Sequence, residues 1–504
     1  MAVPDHDVLV IGGGFSGIGA SIALEKAGIR DYRIVDDNDG FGGTWRWNTY
    51  PGIAVDIPSF SYQYSFEKRT DWSRTYAPGR ELRAYAEDVA QRHGLAAKAR
   101  FGVRVDGATY DEDDHAWTLS TRDGETLTAR HVVDATGVLT NPKPPGIEGV
   151  EAFAGTTLHT ARWDHSVDVR GKRVAVIGTG ASAVQLIPAI VDEVEHLTVF
   201  QRTPIWCLPK FDKPIPQAVG RTLRRVPGTE ALARALSQAL VEVTFTFAAH
   251  YHRGFPLTSL VEKSARKHLE QEVHDPVLRD KLTPRYALGC KRPSFHNEYL
   301  ATFNRGDVLL ETTPIARVNP GGIVTEDGIE HEVDVLVLAT GFQVFDAGNL
   351  PKYPVTGRDG ADLFTYWDEN RHQAYEGISV PGFPNYFYMF GPYGYNGSSY
   401  FNLVETQARH IVRCLRHARE RGATQVEVTR EANDRYFAEM LRRRTRQVFW
   451  SESCANANSY YFDKHGDVPL RPVTTLETIW RARRFDLGDY RFTAPAREPA
   501  LARA

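Results

Sequence analysis

The sequence predicts an α/β protein with two Rossmann-like dinucleotide-binding domains and a helical insertion in the second of them. Three observations support this fold class. A β-branched strand followed by a glycine-rich turn and an apolar helix occurs twice. Each copy is followed by a second short apolar strand. The 504-residue chain also exceeds the length at which one core keeps growing, so two or three domains are expected.

The two copies have the same order of elements. The first reads DVLVIGGGFSGIGASIALEKAG and continues into the strand YRIVDD, and the second reads KRVAVIGTGASAVQLIPAIV and continues into HLTVFQR. Their first glycines, Gly12 and Gly178, are 166 residues apart. This distance indicates a duplicated βαβ unit and not a short repeat array.

Further segments give the domain order. Strands ending in Ala-Thr-Gly are predicted at 131–137 and 334–342, and NPKPPG after the first indicates a domain crossing. The residues FAGTTLHTARWDH that follow are too irregular for a plain helix or strand. We predict a first domain at 1–147 and 379–504, the latter with a C-terminal closing segment. The second domain is predicted at 148–213 and 281–378, with a charged helical insertion at 214–280.

Composition narrows the function classes. Hydrophobic residues are 42% and charged residues 24% of the chain, which is ordinary for a globular protein. The net charge of −3 favours neither nucleic acid nor an anionic membrane as partner. No signal peptide is expected, because MAVPDHDVLVIGGG enters a strand at once. The longest apolar run, ALVEVTFTFAA from Ala239, is too short for a membrane span and contains Glu242.

The four cysteines have no close pairing in sequence. We therefore expect neither a disulfide framework nor a metal cluster, and a reducing cytoplasmic location. Their positions are Cys207, Cys290, Cys414 and Cys454.

Each glycine-rich turn has the residues that a pyrophosphate site needs. In G-x-G-x-x-G the first glycine makes the tight turn, the second admits the pyrophosphate and the third allows close helix–strand packing. The phosphates then lie at the helix N-terminus, where free N–H groups and the helix dipole favour negative charge. Gly12, Gly14 and Gly17 fill these positions in the first copy, and Gly178, Gly180 and Ala183 in the second.

The end of the second strand distinguishes the two sites. Asp36 lies 24 residues after Gly12, and Arg202 lies 24 residues after Gly178. An acid there accepts hydrogen bonds from ribose hydroxyls, whereas an arginine pairs with a 2′-phosphate. The first site is therefore predicted to bind FAD and the second NADPH. Two alternatives stay open: Asp37 could replace Asp36, and Arg202 could be a solvated charge at a strand end.

Two bound redox cofactors restrict the reaction to redox chemistry. Disulfide reductases of this architecture need Cys-x-x-Cys or Cys-x4-Cys near the flavin. The sequence contains no such pair. This class is therefore not expected.

Two longer motifs resemble the type I Baeyer–Villiger monooxygenases. FAGTTLHTARWD matches their fingerprint F-x-G-x-x-x-H-x-x-x-W-[P/D], with Phe153, Gly155, His159, Trp163 and Asp164 in place. GGTWRWNTYPGIAVD matches their second signature at Gly42, Gly43, Trp45, Tyr50, Pro51, Gly52 and Asp56. The resemblance extends from about residue 5 to 485.

The resemblance implies roles for particular residues. Arg292 would be the catalytic cation over the flavin, oriented by Asp56. Lys291 would bind the 2′-phosphate together with Arg202, although an exposed basic pair is the alternative for Lys291 and Arg292. The remaining implied cofactor-binding residues are Ser16, Gly43, Thr44, Trp45, Tyr62, Val105, Thr179, Ser182, Gln185 and Thr203.

His159 would couple nucleotide binding to domain rotation and would not be a catalytic base. A satisfied core histidine is the equal alternative, and in both interpretations it holds a junction. Relatives often carry a tryptophan in the loop that closes over NADP, where this sequence has Tyr460. The segment PYGYNGSSYF is the expected pocket wall.

The reaction implied is the insertion of one oxygen atom of O2 next to a ketone or aldehyde carbonyl, giving an ester or lactone. It would proceed through a C4a-peroxyflavin and a Criegee intermediate, with NADPH as the hydride donor. The expected partners are a small ketone and O2, and the protein would be a monomer or homodimer. The alternatives are a flavin N- or S-oxygenase, which needs no Asp56–Arg292 pair, and a redox sensor or scaffold without oxygenase activity.

Overall fold

The fold is taken from a computed structural model that describes residues 3–250, 257–345, 349–454 and 457–494. It confirms the predicted α/β class with two separate sheet cores. None of the helices in these ranges is long and apolar enough to cross a membrane.

The first glycine-rich turn directly follows an internal strand of an eight-stranded mixed sheet. His6–Ile11 is central and pairs in parallel with Tyr32–Asp36 and Thr126–Asp134. The strands that complete the sheet are Ala99–Phe101, Val105–Asp111, Ala116–Thr121, Val355–Thr356 and Tyr386–Tyr388. The helices packed around it are Phe15–Lys26, Thr44–Trp47, Gly79–Arg92, Tyr400–Glu420, Arg430–Arg444 and Thr475–Arg484.

The second glycine-rich turn lies at a five-stranded, wholly parallel sheet. Arg173–Ile177 is central and lies between His196–Phe200 and Val335–Leu338. Val308–Glu311 and Thr156–His159 form the two edges. The helices Ala181–Ile190 and Tyr299–Thr302 pack on one face.

The edge strand Thr156–His159 corrects the prediction that 153–165 contains no plain strand. Its residues pair in parallel with Val335–Leu338. The pattern is too short to read in sequence, because four residues give only two alternations. The β-branched Thr156 and Thr157 adopt the extended form once a neighbouring strand offers its free edge.

The described residues between 214 and 280, the stretch predicted as a helical insertion, are mostly helical. The bounds of these helices are Gln217–Arg225, Thr229–Val241, Ala248–His250, Leu257–Glu272 and Pro276–Leu282, with one π-helical segment at Glu242–Phe247. Small two- and three-stranded sheets join Cys207–Leu208 to Ser294–Phe295, Gln425–Val428 to Tyr490–Thr493, and Ile315–Asn319 to Gly322–Thr325 and Glu330–Glu332. The remaining helix is Leu363–Asn370, and short 3₁₀ turns lie at Leu95–Lys98, Val150–Ala152, Arg358–Gly360, Val448–Trp450, Glu452–Cys454 and Leu487–Asp489.

The cysteine prediction is wrong for one pair. Cys290 and Cys454 form a disulfide, whereas Cys207 and Cys414 are free and buried. The two bonded residues are 164 positions apart, so their proximity depends on the tertiary fold and has no signal in local spacing.

Gly17, the third glycine of the first turn, lies where the helix and the strand pack closely, as the sequence predicted. The helix Phe15–Lys26 crosses the strand end so closely that a Cβ on Gly17 would lie 1.8 Å from the carbonyl oxygen of Gly12. Gly12 itself has φ +114°, which a side chain strongly disfavours. The loop geometry therefore depends on both glycines.

We expect Gly17→Ala to lower the free energy of unfolding by about 1–3 kcal/mol, since either the loop or the helix must shift. Chemical denaturation of the purified protein measures this. Gly306→Ala is the matched control, because a Cβ there meets no atom within 4 Å, and its effect should stay below about 0.5 kcal/mol. Equal stability of the two variants would contradict the packing argument.

Candidate active site

The first glycine turn presents a helix N-terminus without a side-chain cap. The helix Phe15–Lys26 starts after Gly14, and its first turn contains no acidic residue. Its first N–H groups are therefore available to an anion. Ser16 lies in this turn and its hydroxyl is 2.7 Å from the hydroxyl of Tyr400.

Asp36 faces the same turn from the end of the second strand. Its Oδ2 accepts a hydrogen bond from the Gly13 amide, and its Oδ1 accepts one from the Asn38 amide at 2.7 Å. Burial raises the pKa of this carboxyl, although both amide bonds act to lower it. Asp37 instead lies 4.0 Å from Lys352. Of the two acids, Asp36 is thus the one held against the glycine turn.

The GGTWRWNTYPGIAVD signature packs against the first glycine turn through its backbone. A Cβ on Gly43 would lie 2.8 Å from the Cα of Gly14, so the two backbones are in close contact. Thr44 and Trp45 begin the next short helix, and the Trp45 indole donates to the Tyr62 hydroxyl at 3.3 Å. Val105 is buried in the neighbouring core, where it starts a strand.

The second glycine turn repeats the uncapped helix start. Gly178 has φ +112°, and the helix Ala181–Ile190 follows Gly180 with no side-chain cap and no acid in its first turn. The space around Gly180 is open, since a Cβ there would meet no atom within 4 Å. The Thr179 hydroxyl donates to the Thr203 carbonyl at 3.1 Å, which fixes the turn to the following strand end.

Gln185 links the second glycine helix to the second signature. Its Oε1 accepts from the Tyr50 hydroxyl at 2.9 Å, and its Nε2 donates to the Ala54 carbonyl at 2.9 Å. Burial raises the pKa of Tyr50 to about 12, and the nearby Ser182 side chain acts to lower it. A Cβ on Gly52 would lie 2.4 Å from the Gln185 carbonyl oxygen. The two dinucleotide-binding units are therefore in contact through this helix.

Lys291 and Arg202 are neighbouring cations near the second turn. Burial and, to a smaller extent, the charge of Arg202 together lower the pKa of Lys291 to about 8. Arg202 is exposed. Two cations held together are a suitable site for a phosphate dianion, which would neutralise both.

Arg292, the next residue, has the opposite electrostatic environment. Its Nε donates to Asp56 Oδ2 at 2.5 Å, and its guanidinium lies 4.6 Å from the Phe245 ring centre. Burial is the largest single influence and acts to lower the pKa of Arg292, but the charge and hydrogen bond of Asp56 together with Tyr461 and Tyr395 raise that pKa well above its usual value. The guanidinium therefore stays charged at every pH at which the protein is folded.

The fingerprint segment connects three parts of the chain through His159. The Nδ1 of His159 accepts from the Ala161 amide at 3.0 Å, so Nε2 carries the proton and lies 3.2 Å from the Thr340 hydroxyl. Thr340 in turn donates to the Lys143 carbonyl at 2.5 Å, in the proline-rich crossing. Burial lowers the pKa of His159, which keeps the ring neutral.

Arg162 extends this junction to the first domain. It donates to the Thr140 carbonyl at 2.8 Å and lies 4.0 Å from the Trp47 ring centre. Phe153 and Trp163 pack into the apolar cores below. The segment 153–165 is thus a junction, as both interpretations of His159 required.

Some residues of the site carry no sequence signal that points to them. Phe245 contacts Arg292 from the helical insertion. Lys210 lies 4.9 Å from the Tyr76 ring centre, and burial lowers its pKa while the charges of Asp212 and Asp56 act to raise it. Tyr395 is different, because it belongs to the segment that the sequence predicted as the pocket wall; its hydroxyl donates to the Ser398 carbonyl.

A half-buried arginine–aspartate pair together with two uncapped glycine turns fits a flavin monooxygenase architecture. Comparisons with known proteins agree with this class. The chain matches a family described as pyridine nucleotide-disulphide oxidoreductase over residues 9–214. Those residues contain only one cysteine, Cys207, so the match reflects the nucleotide-binding fold and not a reactive dithiol.

Individual relatives are more specific. The chain is 37% identical over 493 residues to a Baeyer–Villiger monooxygenase of Streptomyces coelicolor, covering 97% of this chain and 93% of that protein. A phenazine N-monooxygenase of Lysobacter antibioticus is 35% identical, with 86% of each chain covered. The crystal structure of OTEMO in complex with FAD and NADP superposes with a TM-score of 0.87 at 27% identity, covering 98% of this chain and all of that one.

The chain belongs to the Baeyer–Villiger monooxygenase family, as the two long motifs predicted. It is an NADPH-dependent flavin monooxygenase, and the two uncapped glycine turns described above fit its two dinucleotide cofactors.

The pKa of Lys291 gives a pH-dependence that can be measured. Its ammonium form dominates below about pH 8 and is lost above it. We therefore expect the second-order rate constant for anaerobic flavin reduction by NADPH to decrease as the pH rises through about 8. NADH lacks the 2′-phosphate and is the control, since its slower reduction should not show this decrease. A parallel pH profile for both nucleotides would contradict the assignment.

Substitution of His159 tests whether the segment 153–165 couples the two domains during turnover. His159→Ala should retain FAD but turn over more slowly, and its pH profile should keep its shape because no catalytic proton is removed. His159→Gln is the matched variant, because its amide can still donate to Thr340 and should restore part of the rate. Steady-state NADPH oxidation from pH 6 to about 9 is the measurement. Unchanged turnover of the alanine variant would favour a core histidine with no coupling role.

Proposed function

We propose that the protein inserts one oxygen atom of O2 next to a ketone or aldehyde carbonyl and so forms an ester or lactone. The single observation that supports this most directly is the half-buried ion pair of Arg292 and Asp56. When bound, the reduced flavin would supply the activated oxygen, as the C4a-peroxide that adds to the carbonyl to give the Criegee adduct.

The first glycine turn would hold FAD. Gly12, Gly14 and Gly17 leave backbone N–H groups for the pyrophosphate, and Asp36 would accept hydrogen bonds from the ribose hydroxyls. Asp36 has one lone pair free on each carboxylate oxygen beyond its two amide partners. The remaining residues proposed for this cofactor are Ser16, Gly43, Thr44, Trp45, Asp56, Tyr62 and Val105.

The second glycine turn would hold NADPH. Gly180 gives the backbone open space for the pyrophosphate, and Lys291 with Arg202 would bind the 2′-phosphate. The residues proposed to complete the site are Thr179, Ser182, Gln185, Thr203 and Arg292. The domain boundaries given from the sequence, a cytoplasmic location and a monomeric or dimeric state stay predictions.

Arg292 would stabilise negative charge on oxygen during attack at the carbonyl. A guanidinium that cannot lose its proton keeps this role at alkaline pH, unlike a buried lysine. Asp56 accepts a hydrogen bond from the Nε–H of Arg292 and so fixes the direction of the guanidinium. The terminal amino groups of Arg292 are then left for the reacting oxygen and the cofactor. The Phe245 ring beside it excludes water, and this exclusion limits loss of the activated oxygen as hydrogen peroxide.

A flavin N- or S-oxygenase is the second candidate. The 35% identity to a phenazine N-monooxygenase supports it. Such oxygenases transfer oxygen to a nucleophilic substrate atom and have no requirement for a fixed cation beside the oxygen. Consumption of NADPH across panels of ketones, amines and sulfides, with products identified by mass spectrometry, distinguishes the two candidates.

We expect Arg292→Ala to be reduced by NADPH but to form ester at least about 100-fold more slowly, as for the loss of one oxyanion donor. Oxygen uptake should end mostly as hydrogen peroxide. Arg292→Lys should restore little, because an ammonium lacks the planar fork and loses its proton when desolvated. Product quantification against NADPH consumed is the measurement.

Arg305→Ala is the control, since the Arg305 side chain is 39% exposed and forms ion pairs with Asp192 and Asp307 at the surface. Its rate should match that of the parent. Ester formation by Arg292→Ala at close to the parent rate would show that the charge is not required.

A further inference from the structure

The disulfide between Cys290 and Cys454 joins two segments of the candidate active site. Their Cα atoms are 5.2 Å apart, and both residues are buried. Trp206, Leu208 and Leu288 are among the apolar side chains that surround them. Neither the glycine turns nor the family motifs include these cysteines.

One end of the bond lies beside the two cations of the site. Cys290 directly precedes Lys291 and Arg292. Residues 283–293 contain turns and no helix or strand, so no backbone ladder holds them in place. Gly289 has φ +104°, and a Cβ there would lie 3.1 Å from a methyl group of Val448. This loop is therefore packed directly on the C-terminal part of the chain.

The other end of the bond lies in that C-terminal part. Cys454 ends a short 3₁₀ turn that follows the buried Val448 and Phe449. The Phe449 ring centre is 5.2 Å from that of Tyr461, and the Tyr461 hydroxyl is close enough to affect the pKa of Arg292. The C-terminal part of the chain therefore comes close to Arg292 through Tyr461.

We propose that the Cys290–Cys454 bond is a positioning cross-link for Arg292, which keeps the cation in place under the C-terminal segment during oxygen transfer. This inference rests on the proposed function. The loop 283–293 is also held by two hydrogen bonds of Tyr286, with the Trp206 indole and the Pro204 carbonyl, but close to the cations its charged contact is the pair of Arg292 with Asp56. Without the bond, separation of the loop from residues 448–454 would admit water and release the activated oxygen as hydrogen peroxide.

The bond also makes this position sensitive to reductants. A small dithiol would break the S–S bond by two exchange steps, giving two protein thiols and one cyclic disulfide of the reductant. The same change can be made permanently by Cys454→Ser. Cys414→Ser is the matched control, because Cys414 is a buried cysteine that is free and lies in the helix Tyr400–Glu420.

The state of the thiols is tested first. The holoenzyme is denatured with an alkylating reagent and no reductant, and its intact mass is measured. Two alkyl groups, on the free Cys207 and Cys414, are expected. Alkylation of all four cysteines of the chain would overturn the proposal.

The positioning role is tested by the hydrogen peroxide released per NADPH consumed. We expect Cys454→Ser to raise this ratio by about threefold or more, with flavin reduction by NADPH changed less than about twofold. A dithiol should produce the same rise in the parent and in Cys414→Ser, and no further rise in Cys454→Ser. An unchanged peroxide ratio, or a loss of FAD content and thermal stability without a change in the ratio, would overturn the proposal.

The result can be separated from failure of the proposed function. The peroxide ratio is measured with and without a ketone, so it does not require ester formation by the parent. A parent that converts no ketone, but shows the expected rise in Cys454→Ser, would refute the proposed reaction and retain the cross-link.

Discussion

The ion pair between Arg292 and Asp56 joins segments that are 236 residues apart in sequence. Removing two charges from water has a large free-energy cost, which their attraction offsets only when both are held in good geometry. Asp56 ends the signature that contacts the first glycine turn through Gly43, and Gly52 of the same signature contacts the second glycine helix. The pair can therefore form only when both dinucleotide-binding units are folded and docked.

The duplicated units supply similar anion sites but differ where the second strand ends. In the first unit Asp36 is buried and hydrogen-bonded to backbone amides, whereas Arg202 at the matching position is exposed beside Lys291. A buried acid that is already fixed suits a cofactor that stays bound. An exposed cation suits a nucleotide that enters and leaves, because its charge also attracts the phosphate from solution.

The sequence predicted the parts of the structure that depend on local chemistry. Glycine spacing located both turns, and the offset of 24 residues located Asp36 and Arg202, because each lies within one βαβ unit. The pairing of Arg292 with Asp56 came from the family resemblance. Phe245 and Lys210 were missed since they reach the site from distant segments, and the disulfide was missed for the same reason. Nothing in local spacing encodes contacts that only the tertiary fold creates.

The adjacent residues Lys291 and Arg292 show how one short loop provides two different cations. Burial and a neighbouring cation lower the pKa of Lys291, while an anion at hydrogen-bond distance raises that of Arg292. The lysine is thus stabilised by an incoming phosphate, and the arginine is charged before any ligand binds. Since successive residues of an irregular loop point in different directions, a loop fixed at Cys290 can present one cation to the nucleotide and the other to the reacting oxygen. A helix would separate adjacent side chains by only about 100° around one axis.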